Sequence, residues 1–418
     1  MPGSHDASGT RSPVVLFGAF DRHNVGDLLF PHVATALLPG RALHYAGLVA
    51  RDLRGFGGHR VGALPEVLAG LRGRCATVVH VGGEILTCDA WQAAVMLSEP
   101  GEAQRIVARL DARPWRERLQ WAHGVLGTRA LAPYTMSRAA FPAVARVVHA
   151  GIGGVDLDAR EPGLRDEVLA NLAAADAVGV RDERTLAHLE AAGVRARLMP
   201  DPAVMVAELF GVRVRRRARQ GEVAQVRAAF PHGHLAVQFS ADFGDDASLS
   251  EIAAQLDRVV AATGCGVALF RAGAAPWHDD LDSLRRVAQR MRASSVRVFE
   301  SLDVWDICAL IASARAYCGS SLHGRIVAMA FALPRVNLCH PSCAPDSGKQ
   351  AAFAATWDEG GFATIGVARI AETIVHMLGR DRLAGDRAGA DRRRLRDQAR
   401  RLAALYREEF ARLGAASA

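Results

Sequence analysis

The residues best suited to chemistry lie in the segment CGSSLHGRIVAMAFALPRV at 318–336. An apolar strand ends at its first residue, a Gly-Ser-Ser turn follows, and a helix begins near His323. Hydroxyls and free N–H groups at the start of a helix can hold an anion such as phosphate. An imidazole there can exchange protons with a bound ligand, and Arg325 adds a fixed positive charge. A lone histidine is more often structural, but this combination favours a site formed by Ser320, Ser321, His323 and Arg325.

A second candidate site lies in GAFDRHNVGD, which follows the first apolar strand, VVLF. Free backbone N–H groups at the helix that begins here can hold an anion. The alternative, which is equally consistent, is a glycine-containing turn capped by Asn24 or Asp27. The spacing does not match GxGxxG, so a dinucleotide fingerprint is absent. The candidate binding residues are Gly18, Asn24, Gly26 and Asp27.

Two further glycine clusters, VGGE and GIGG, also follow apolar strands. Paired glycines such as Gly82 and Gly83 let a backbone approach a ligand closely. Glu84 could serve as a general base towards a hydroxyl, or could simply cap a tight turn. Gly153 and Gly154 are candidate binding residues on the same argument.

Arg181 follows the strand AVGV in the segment VRDE. At a strand end its guanidinium could face a cleft and bind a carboxylate or phosphate. The alternative is an ion pair with Asp182, Glu183 or Asp201 that only fixes a loop.

These clusters need a scaffold that brings strand ends together, and the sequence pattern predicts one. Short apolar strands alternate with helices, which is typical of parallel sheets with helices on both faces. The rhythm occurs twice, so we predict an α/β chain with two Rossmann-like, doubly wound domains facing a cleft. Ligands of such sheets bind beyond the carboxyl ends of the strands, where every cluster lies. The predicted segments are a disordered N-terminus at 1–12, a first domain at 13–207 with a helical insertion at about 90–141, a linker at 208–230, a second domain at 231–385 and a C-terminal helix at 386–418.

Two arginine-rich segments are interpreted separately. GVRVRRRARQGE at 211–222 has few apolar residues and many like charges, which is typical of an exposed linker. In the last segment, apolar residues recur at steps of three and four from Leu395 to Leu413. Because only one side of this helix is apolar, we expect it to pack onto a domain, with peripheral membrane contact as the alternative.

Composition supports two domains and argues against several classes of protein. The chain has 418 residues, 50% of them hydrophobic, so each half can bury a core. Its net charge is +7, but the basic residues are scattered among acidic ones, which argues against nucleic acid. We interpret this charge mainly as general composition, with an anionic substrate as a modest addition. The sequence shows no signal peptide, membrane span or disulfide framework, so we expect a cytoplasmic protein with reduced cysteines.

The sequence predicts no metal site. Cys339 and Cys343 are spaced to suit a metal, but no second pair follows, so we interpret them as ordinary thiols. The loop PWHDD at 276–280 carries two carboxylates without a metal-ligand pattern, and we interpret these as solvated.

Taken in order, these motifs resemble the polysaccharide pyruvyltransferase family. The order is Asn-x-Gly-Asp, Gly-Gly-Glu after a strand, GIGG, Val-Arg-Asp-Glu, Pro-Asp-Pro-Ala and a Leu-His-Gly helix that leads to a Pro-containing strand. The resemblance spans about residues 14–340 and implies a GT-B-like architecture. It implies a transferase that moves pyruvyl from phosphoenolpyruvate to sugar hydroxyls, without a cofactor. The implied partners are phosphoenolpyruvate and a sugar or lipid-linked glycan acceptor, in a possible homo-oligomer.

The resemblance also implies roles for individual residues. His323 would be the acid/base residue, with Glu84 as a second such group, and Arg181 and Arg325 would contact anions. The residues that shape the cleft would be Gly82, Gly83 and Asp27. The family usually has Arg-Leu-His where this chain has Ser321-Leu-His, and Arg325, one helical turn later, could replace the missing arginine.

The second predicted domain departs from the family in one further respect. It offers Gln238, Ser240 and Arg271 where a histidine at a strand end is expected. Two alternatives therefore stay open: a GT-B glycosyltransferase that uses a sugar nucleotide, and a non-catalytic member that binds glycans.

Overall fold

Two sheets form the scaffold of the protein, as a computed structural model shows for residues 12–344, 346–358, 364–383 and 385–414. The N-terminus predicted to be disordered lies outside these residues except for Ser12. The strands are β1 Val14–Phe17, β2 Leu43–Gly47, β3 Arg51–Asp52, β4 Arg60–Ala63, β5 Ala76–Val81, β6 Val144–Ile152, β7 Ala177–Val180, β8 Arg197–Leu198, β9 His234–Gln238, β10 Gly266–Phe270, β11 Val296–Phe299, β12 Ala316–Gly319, β13 Arg335–Leu338 and β14 Thr364–Ile365.

Helices connect most of these strands. They are α1 Val25–Leu37, α2 Leu64–Gly70, α3 Ala90–Leu97, α4 Pro100–Leu110, α5 Trp115–Leu126, α6 Pro162–Ala173, α7 Glu183–Ala191, α8 Val206–Arg217, α9 Gly221–Ala229, α10 Asp246–Thr263, α11 Leu281–Arg290, α12 Val304–Ala312, α13 Leu322–Ala330, α14 Gly348–Trp357, α15 Ile370–Leu383 and α16 Gly385–Arg412. None of the described helices is long and apolar enough to cross a membrane.

The strand order confirms the predicted fold class, with two parallel-sheet α/β lobes. The first sheet has the order β3-β4-β2-β1-β5-β6-β7-β8 and is parallel except for the β3–β4 pair. The second has the order β11-β10-β9-β12-β13-β14 and all its pairs are parallel. The central strands are mostly apolar and are buried throughout, as parallel strands covered on both faces require.

The segment at 90–141 interrupts the alternation because three helices, α3, α4 and α5, replace a single crossover between β5 and β6. Asp89 starts this insertion with a capping box, since its side chain accepts from Gln92 N–H and the Gln92 side chain accepts from Asp89 N–H. Trp91, Trp115 and Trp121 belong to a small apolar cluster among the inserted helices.

The segment at 208–230 connects the two sheets but is not the exposed linker that its charge predicted. It forms most of α8 and all of α9, which begins at Gly221. Val214, Val223 and Val226 are buried against the core, while the arginines occupy the outer face. The charge pattern was misleading because the apolar residues that carry the helix packing are few and small.

The lobes are in direct contact with each other. Val25 N–H donates to Ala272 O at 2.8 Å, and Asn24 and Gly273 form an antiparallel bridge. One apolar cluster contains residues from both sheets, so part of the core is shared between the lobes.

The C-terminal helix α16 packs on protein, as its apolar stripe predicts. Leu402, Tyr406 and Phe410 are buried in the shared cluster. Beyond the helix, Arg146 on β6 donates to Leu413 O at 2.9 Å. The end of the described chain therefore lies against the first lobe.

Candidate active site

A cavity of about 380 Å³ opens between the lobes. Its lining comes from the segments that follow β1, β5, β9, β10 and β12, together with α14. The chain reverses its direction of travel between β1 and β5 in the first sheet and between β9 and β12 in the second. Such switch points leave a crevice at the carboxyl ends of the strands, so the two crevices face each other across this cavity.

His323 lines the cavity at the start of α13 and is 8% exposed. Its ring packs edge-on against Phe30, with 5.2 Å between the ring centroids. Its Nε2 is buried and lies 3.6 Å from Asp201 Oδ2, which is longer than a hydrogen bond. Nδ1 is therefore the ring nitrogen available to a ligand.

Gly26 does not line the cavity, but its lack of a side chain leaves space for the His323 ring. A Cβ at position 26 would overlap the His323 ring. Asn24 lines the cavity and caps α1, because its Oδ1 accepts from Gly26 N–H at 3.1 Å. This cap fixes the backbone against which His323 packs.

Arg181 is buried in an ion-pair network and does not line the cavity, which corrects the prediction that it faces the cleft. Its Nη1 donates to Asp201 Oδ2 at 3.0 Å, and its Nη2 donates to Glu84 Oε2. Burial alone would raise the pKa of Asp201, but His323 and Arg181 lower it, which keeps this carboxylate ionised behind the imidazole.

Glu84 lines the cavity at the outer end of this network. One of its oxygens pairs with Arg181 and the other accepts from Val155 N–H at 2.9 Å. A Cβ at Gly153 would lie 2.5 Å from Glu84 Oε2, so this glycine makes room for the ion pair. Since Glu84 forms an ion pair with the buried Arg181, the structure favours a positioning role for it.

Arg22 lines the cavity and was not singled out from the sequence, although it lies within the first cluster. Its Nε donates to Asp27 Oδ2 at 3.1 Å. Burial alone would lower the pKa of Arg22, but the charge of Asp27 raises it, so the guanidinium stays charged. Asp27 thus acts through Arg22 and does not itself line the cavity.

Lys349 is a second cation at the cavity and was also missed. It lies on α14, is exposed, and has no described carboxylate within ion-pair distance. A signal was present, because Lys349 is the only lysine in the sequence.

Ser320 and Ser321 line the cavity at the start of α13, where the sequence predicted an anion site. Ser321 caps the helix, since its Oγ accepts from Gly324 N–H at 3.2 Å. Among the described residues no group accepts from the backbone N–H of Leu322 or His323. These two N–H groups and the positive end of the helix remain available to an anion.

Asp279 lines the cavity, which corrects the interpretation of PWHDD as a solvated loop. Burial raises the pKa of this carboxyl to about 7. Hydrogen bonds from Ala272 N–H and from the Gln238 amide lower the pKa but do not offset the effect of burial. Gln238 in turn accepts from Ser321 N–H at 2.7 Å, so Asp279 is tied to the start of α13. Sequence reasoning missed this group because its burial depends on a fold-back of the loop after β10.

Arg325 lies away from the cavity, on the inner face of α13, and cannot replace an arginine at position 321. It is fully buried, pairs with Asp358 and donates to Asn337 Oδ1 at 2.8 Å. The prediction that it contacts an anion in the cleft is therefore wrong. Helical spacing explains this, because a residue four positions after Ser321 lies one turn into the helix, beneath its start.

The other candidates differ in their position. Ser240 lines the cavity, whereas Arg271 lies outside its lining and desolvation lowers the pKa of its guanidinium. Gly82 and Gly83 adopt φ values of 63° and 86°, which glycine tolerates in the turn after β5. The glycines that serve packing and do not line the cavity are Gly18, Gly82, Gly83 and Gly154. The described residues contain no group of three or more His, Cys, Asp or Glu side chains placed to hold a metal ion.

A family model described as Polysaccharide pyruvyl transferase matches residues 151–338. The matched stretch begins at the GIGG turn and ends with β13, and it includes Asp201, Asp279 and His323. This match confirms the predicted family resemblance, and the matched family is one of enzymes. No curated protein matches the chain.

Solved structures share the two-lobed fold at low identity. UDP-GlcNAc 2-epimerase from Neisseria meningitidis bound to UDP-GlcNAc has a TM-score of 0.53 at 10% identity, with 96% of this chain and 99% of that chain covered. UDP-N-acetylglucosamine 2-epimerase from Rickettsia bellii gives 0.51 at 11%, covering 96% and 95%. The S. aureus MnaA–UDP co-structure gives 0.52 at 13%, covering 95% and 92%. These likenesses support the GT-B-like fold.

Proposed function

We propose that this chain, which matches the polysaccharide pyruvyl transferase family over residues 151–338, transfers a pyruvyl group from phosphoenolpyruvate to hydroxyls of a sugar. One observation carries the proposal: an accessible imidazole, two cations and a free helix start converge on one cavity. These are His323, Arg22, Lys349 and the N-terminus of α13. An acid/base group beside several positive groups is what an enol phosphate with a carboxylate requires.

The donor has two anionic groups, and the cavity offers partners for both. The backbone N–H groups that begin α13 suit the phosphate, and Lys349 adds a charge beside them. Arg22 suits the carboxylate, because its guanidinium is held by Asp27 and still lines the cavity. In this arrangement Lys349 supplies the charge that the family's arginine supplies, since position 321 is a serine and Arg325 is buried elsewhere.

The reaction needs a proton on carbon and a proton removed from oxygen. Protonation of the donor's methylene carbon gives an oxocarbenium-like centre at C2, and a sugar hydroxyl attacks this centre and loses its proton to a base. The C2–O bond to phosphate then breaks, phosphate leaves, and a second hydroxyl attacks C2 to close the ketal. One hydroxyl proton replaces the proton given to carbon and the other leaves with phosphate, so the step is balanced.

His323 and Asp279 are the groups best placed for these proton transfers. His323 offers Nδ1 to the cavity, and Asp201 lies 3.6 Å behind Nε2, where it orients the ring. Asp279 is the second group, since burial raises the pKa of its carboxyl to about 7 and makes it a competent acid near neutral pH. Glu84 remains a candidate through its position at the cavity, where one of its oxygens accepts from Arg181.

The sole lysine allows a direct test of donor binding. An amine-reactive acetylating reagent should modify Lys349 and the N-terminal amine only, and mass spectrometry separates the two peptides. We expect saturating phosphoenolpyruvate to protect Lys349 at least fivefold, while UDP-GlcNAc at the same concentration does not. Protection by UDP-GlcNAc alone would support the sugar-nucleotide alternative, and no protection by phosphoenolpyruvate would contradict the proposed donor.

A further inference from the structure

A second cavity of about 520 Å³ lies beside the first and shares Gln92 and Trp277 with it. Three indoles line it, those of Trp91, Trp115 and Trp277. Trp277 is 45% exposed and lies beside the indoles of Trp91 and Trp115 in this lining. The two cavities therefore adjoin each other at Gln92 and Trp277.

The polar groups of this second cavity suit a neutral, hydroxyl-rich ligand. Arg160 Nη2 donates to Asp89 Oδ2 at 2.5 Å, and Arg118 lies 3.5 Å from Asp111. These pairs largely balance the charge, in contrast to the cationic first cavity. Flat aromatic faces with amide, carboxylate and guanidinium groups around them match a sugar ring, whose C–H face is apolar and whose edge carries hydroxyls.

The backbone at Trp277 gives an independent indication of function. Trp277 has φ 63°, a left-handed conformation that is unfavourable for a bulky residue. Such strain persists where the surrounding structure imposes it, which is common at ligand sites. Hydrogen bonds from His278 N–H to Ala275 O and from Asp279 N–H to Gly273 O fix the turn. The turn therefore holds the indole between the two cavities.

Packing in a hydrophobic core does not explain why these indoles lie where they do. Trp91 is buried and packs on Trp121, as a core residue would. Trp277 comes from the other lobe and meets Trp91 at 6.2 Å between ring centroids, with much of its surface left open. A core function would have covered that surface.

We propose that the second cavity binds the acceptor, and that the acceptor is a glycan of at least two sugar units. The unit that receives pyruvate lies in the first cavity, and its neighbour stacks on Trp277 between Trp115 and Gln92. This inference rests on the proposed function, since it assigns the first cavity to the transfer step.

The test uses the full chain on an array of free-reducing-end and bacterial glycans that covers hexoses, hexosamines and N-acetylhexosamines. The variants are Trp277→Ala, Trp277→Phe and, as a control, Val212→Ala, whose side chain is 76% exposed on α8. We expect wild type to retain disaccharides or longer glycans over monosaccharides. Trp277→Ala should bind them roughly tenfold more weakly, while Trp277→Phe and Val212→Ala stay within about threefold of wild type.

The outcomes separate this inference from the proposed function. Retention of no glycan, equal retention of monosaccharides, or undiminished binding by Trp277→Ala would each overturn the inference. Protection of Lys349 by phosphoenolpyruvate is measured on wild type and on Val212→Ala, and the two should agree. If protection holds and glycan binding does not depend on Trp277, only the acceptor assignment fails. If protection is also absent in wild type, the donor assignment fails with it.

Discussion

At the scale of single residues, the imidazole at position 323 depends on neighbours that are distant in sequence. Phe30 packs against its ring, Gly26 leaves space for it, and Asp201 lies behind its Nε2. Asp201 is held in turn by Arg181. A substitution at any of these positions can act on His323 without touching a ligand.

Replacement of His323 by Ala should slow phosphate release from phosphoenolpyruvate by roughly 10²–10⁴-fold, because an acid/base group is lost. The fold should survive, since the ring lies at the edge of a cavity. Phosphate release measures the effect and thermal unfolding checks the fold. The matched control is His188→Ala on α7, which lies outside the cavity lining. Near-normal turnover in a folded His323→Ala protein would remove His323 from the mechanism.

Replacement of Gly26 by Ala should reproduce much of that loss without removing a functional group. The added methyl would overlap the His323 ring, so the ring must move or the helix must shift, at a cost of about 1–3 kcal/mol. Gly101→Ala is the control, because a Cβ at that position in α4 meets nothing within 4 Å. Turnover and the urea-unfolding midpoint are measured for both. Full activity in Gly26→Ala would show that the ring position is not critical.

Asp279 should impose an alkaline limit on turnover. Because burial raises the pKa of its carboxyl to about 7, the acid is mostly protonated below that pH and is lost above it. Turnover that requires this proton should therefore fall about tenfold per pH unit above pH 7. Asp279→Asn should be slow and should lack this limit. A wild-type profile that is flat to pH 9 would exclude Asp279 as the acid.

At the scale of elements, the sequence predicted the strands well. It predicted poorly which face of a helix packs against the core. The apolar run VVLF gave β1 with its observed bounds, because a strand covered on both faces is a continuous apolar run. The segment at 211–222 was misread because its like charges lie on one face of α8 and hide the packing residues. Arg325 was misplaced because the pattern located α13 but not which of its faces points inward.

Two valines on α8 should distinguish a packed helix from an exposed linker. Val214 is buried, whereas Val212, two residues earlier, is 76% exposed. Val214→Ala should lower the free energy of unfolding by roughly 1–3 kcal/mol, since it removes buried apolar surface and leaves a cavity. Val212→Ala should change it by less than about 0.5 kcal/mol. Equal effects, measured by urea denaturation, would contradict the packing of this helix.

At the scale of the whole molecule, buried histidines should make the fold sensitive to acid. Burial lowers the pKa of His32, His234 and His278 to about 4, and of His59 and His80 to about 3. An unfolded histidine has a pKa of about 6.5, so below that pH the unfolded state binds more protons than the folded state. The stability present above pH 6.5 is therefore lost as the pH falls towards 4.

Each of these histidines should contribute about 1.4 kcal/mol per pH unit to that loss. The urea-unfolding midpoint should fall steeply between pH 7 and pH 5. His80→Phe should reduce the number of protons taken up on unfolding by one, which makes the dependence of stability on pH less steep. A midpoint that does not change over this interval would contradict the neutral state of the buried rings.

The sequence also indicated the candidate site in part. Strand-end clusters located His323, Asn24, Glu84, Ser320 and Ser321, all of which line the cavity, because carboxyl ends of parallel strands converge. Arg22, Lys349 and Asp279 were missed since their approach depends on how loops fold back and how the lobes meet. The two arginines that the sequence analysis assigned to anion binding, Arg181 and Arg325, proved to stabilise the framework.

The path of the chain has a mechanical consequence for the two lobes. It crosses from the first lobe to the second through α8 and α9, and α16 brings it back, so that Leu413 is bound by Arg146 of the first sheet. The first lobe is thus not a continuous stretch of sequence, whereas the strands of the second lobe follow one another from β9 to β14. A fragment cut near residue 207 would lack the surface that the tail provides. The lobes are therefore joined at two places, through α8 and α9 and through α16. Any movement of the lobes that admits a substrate must deform both connections.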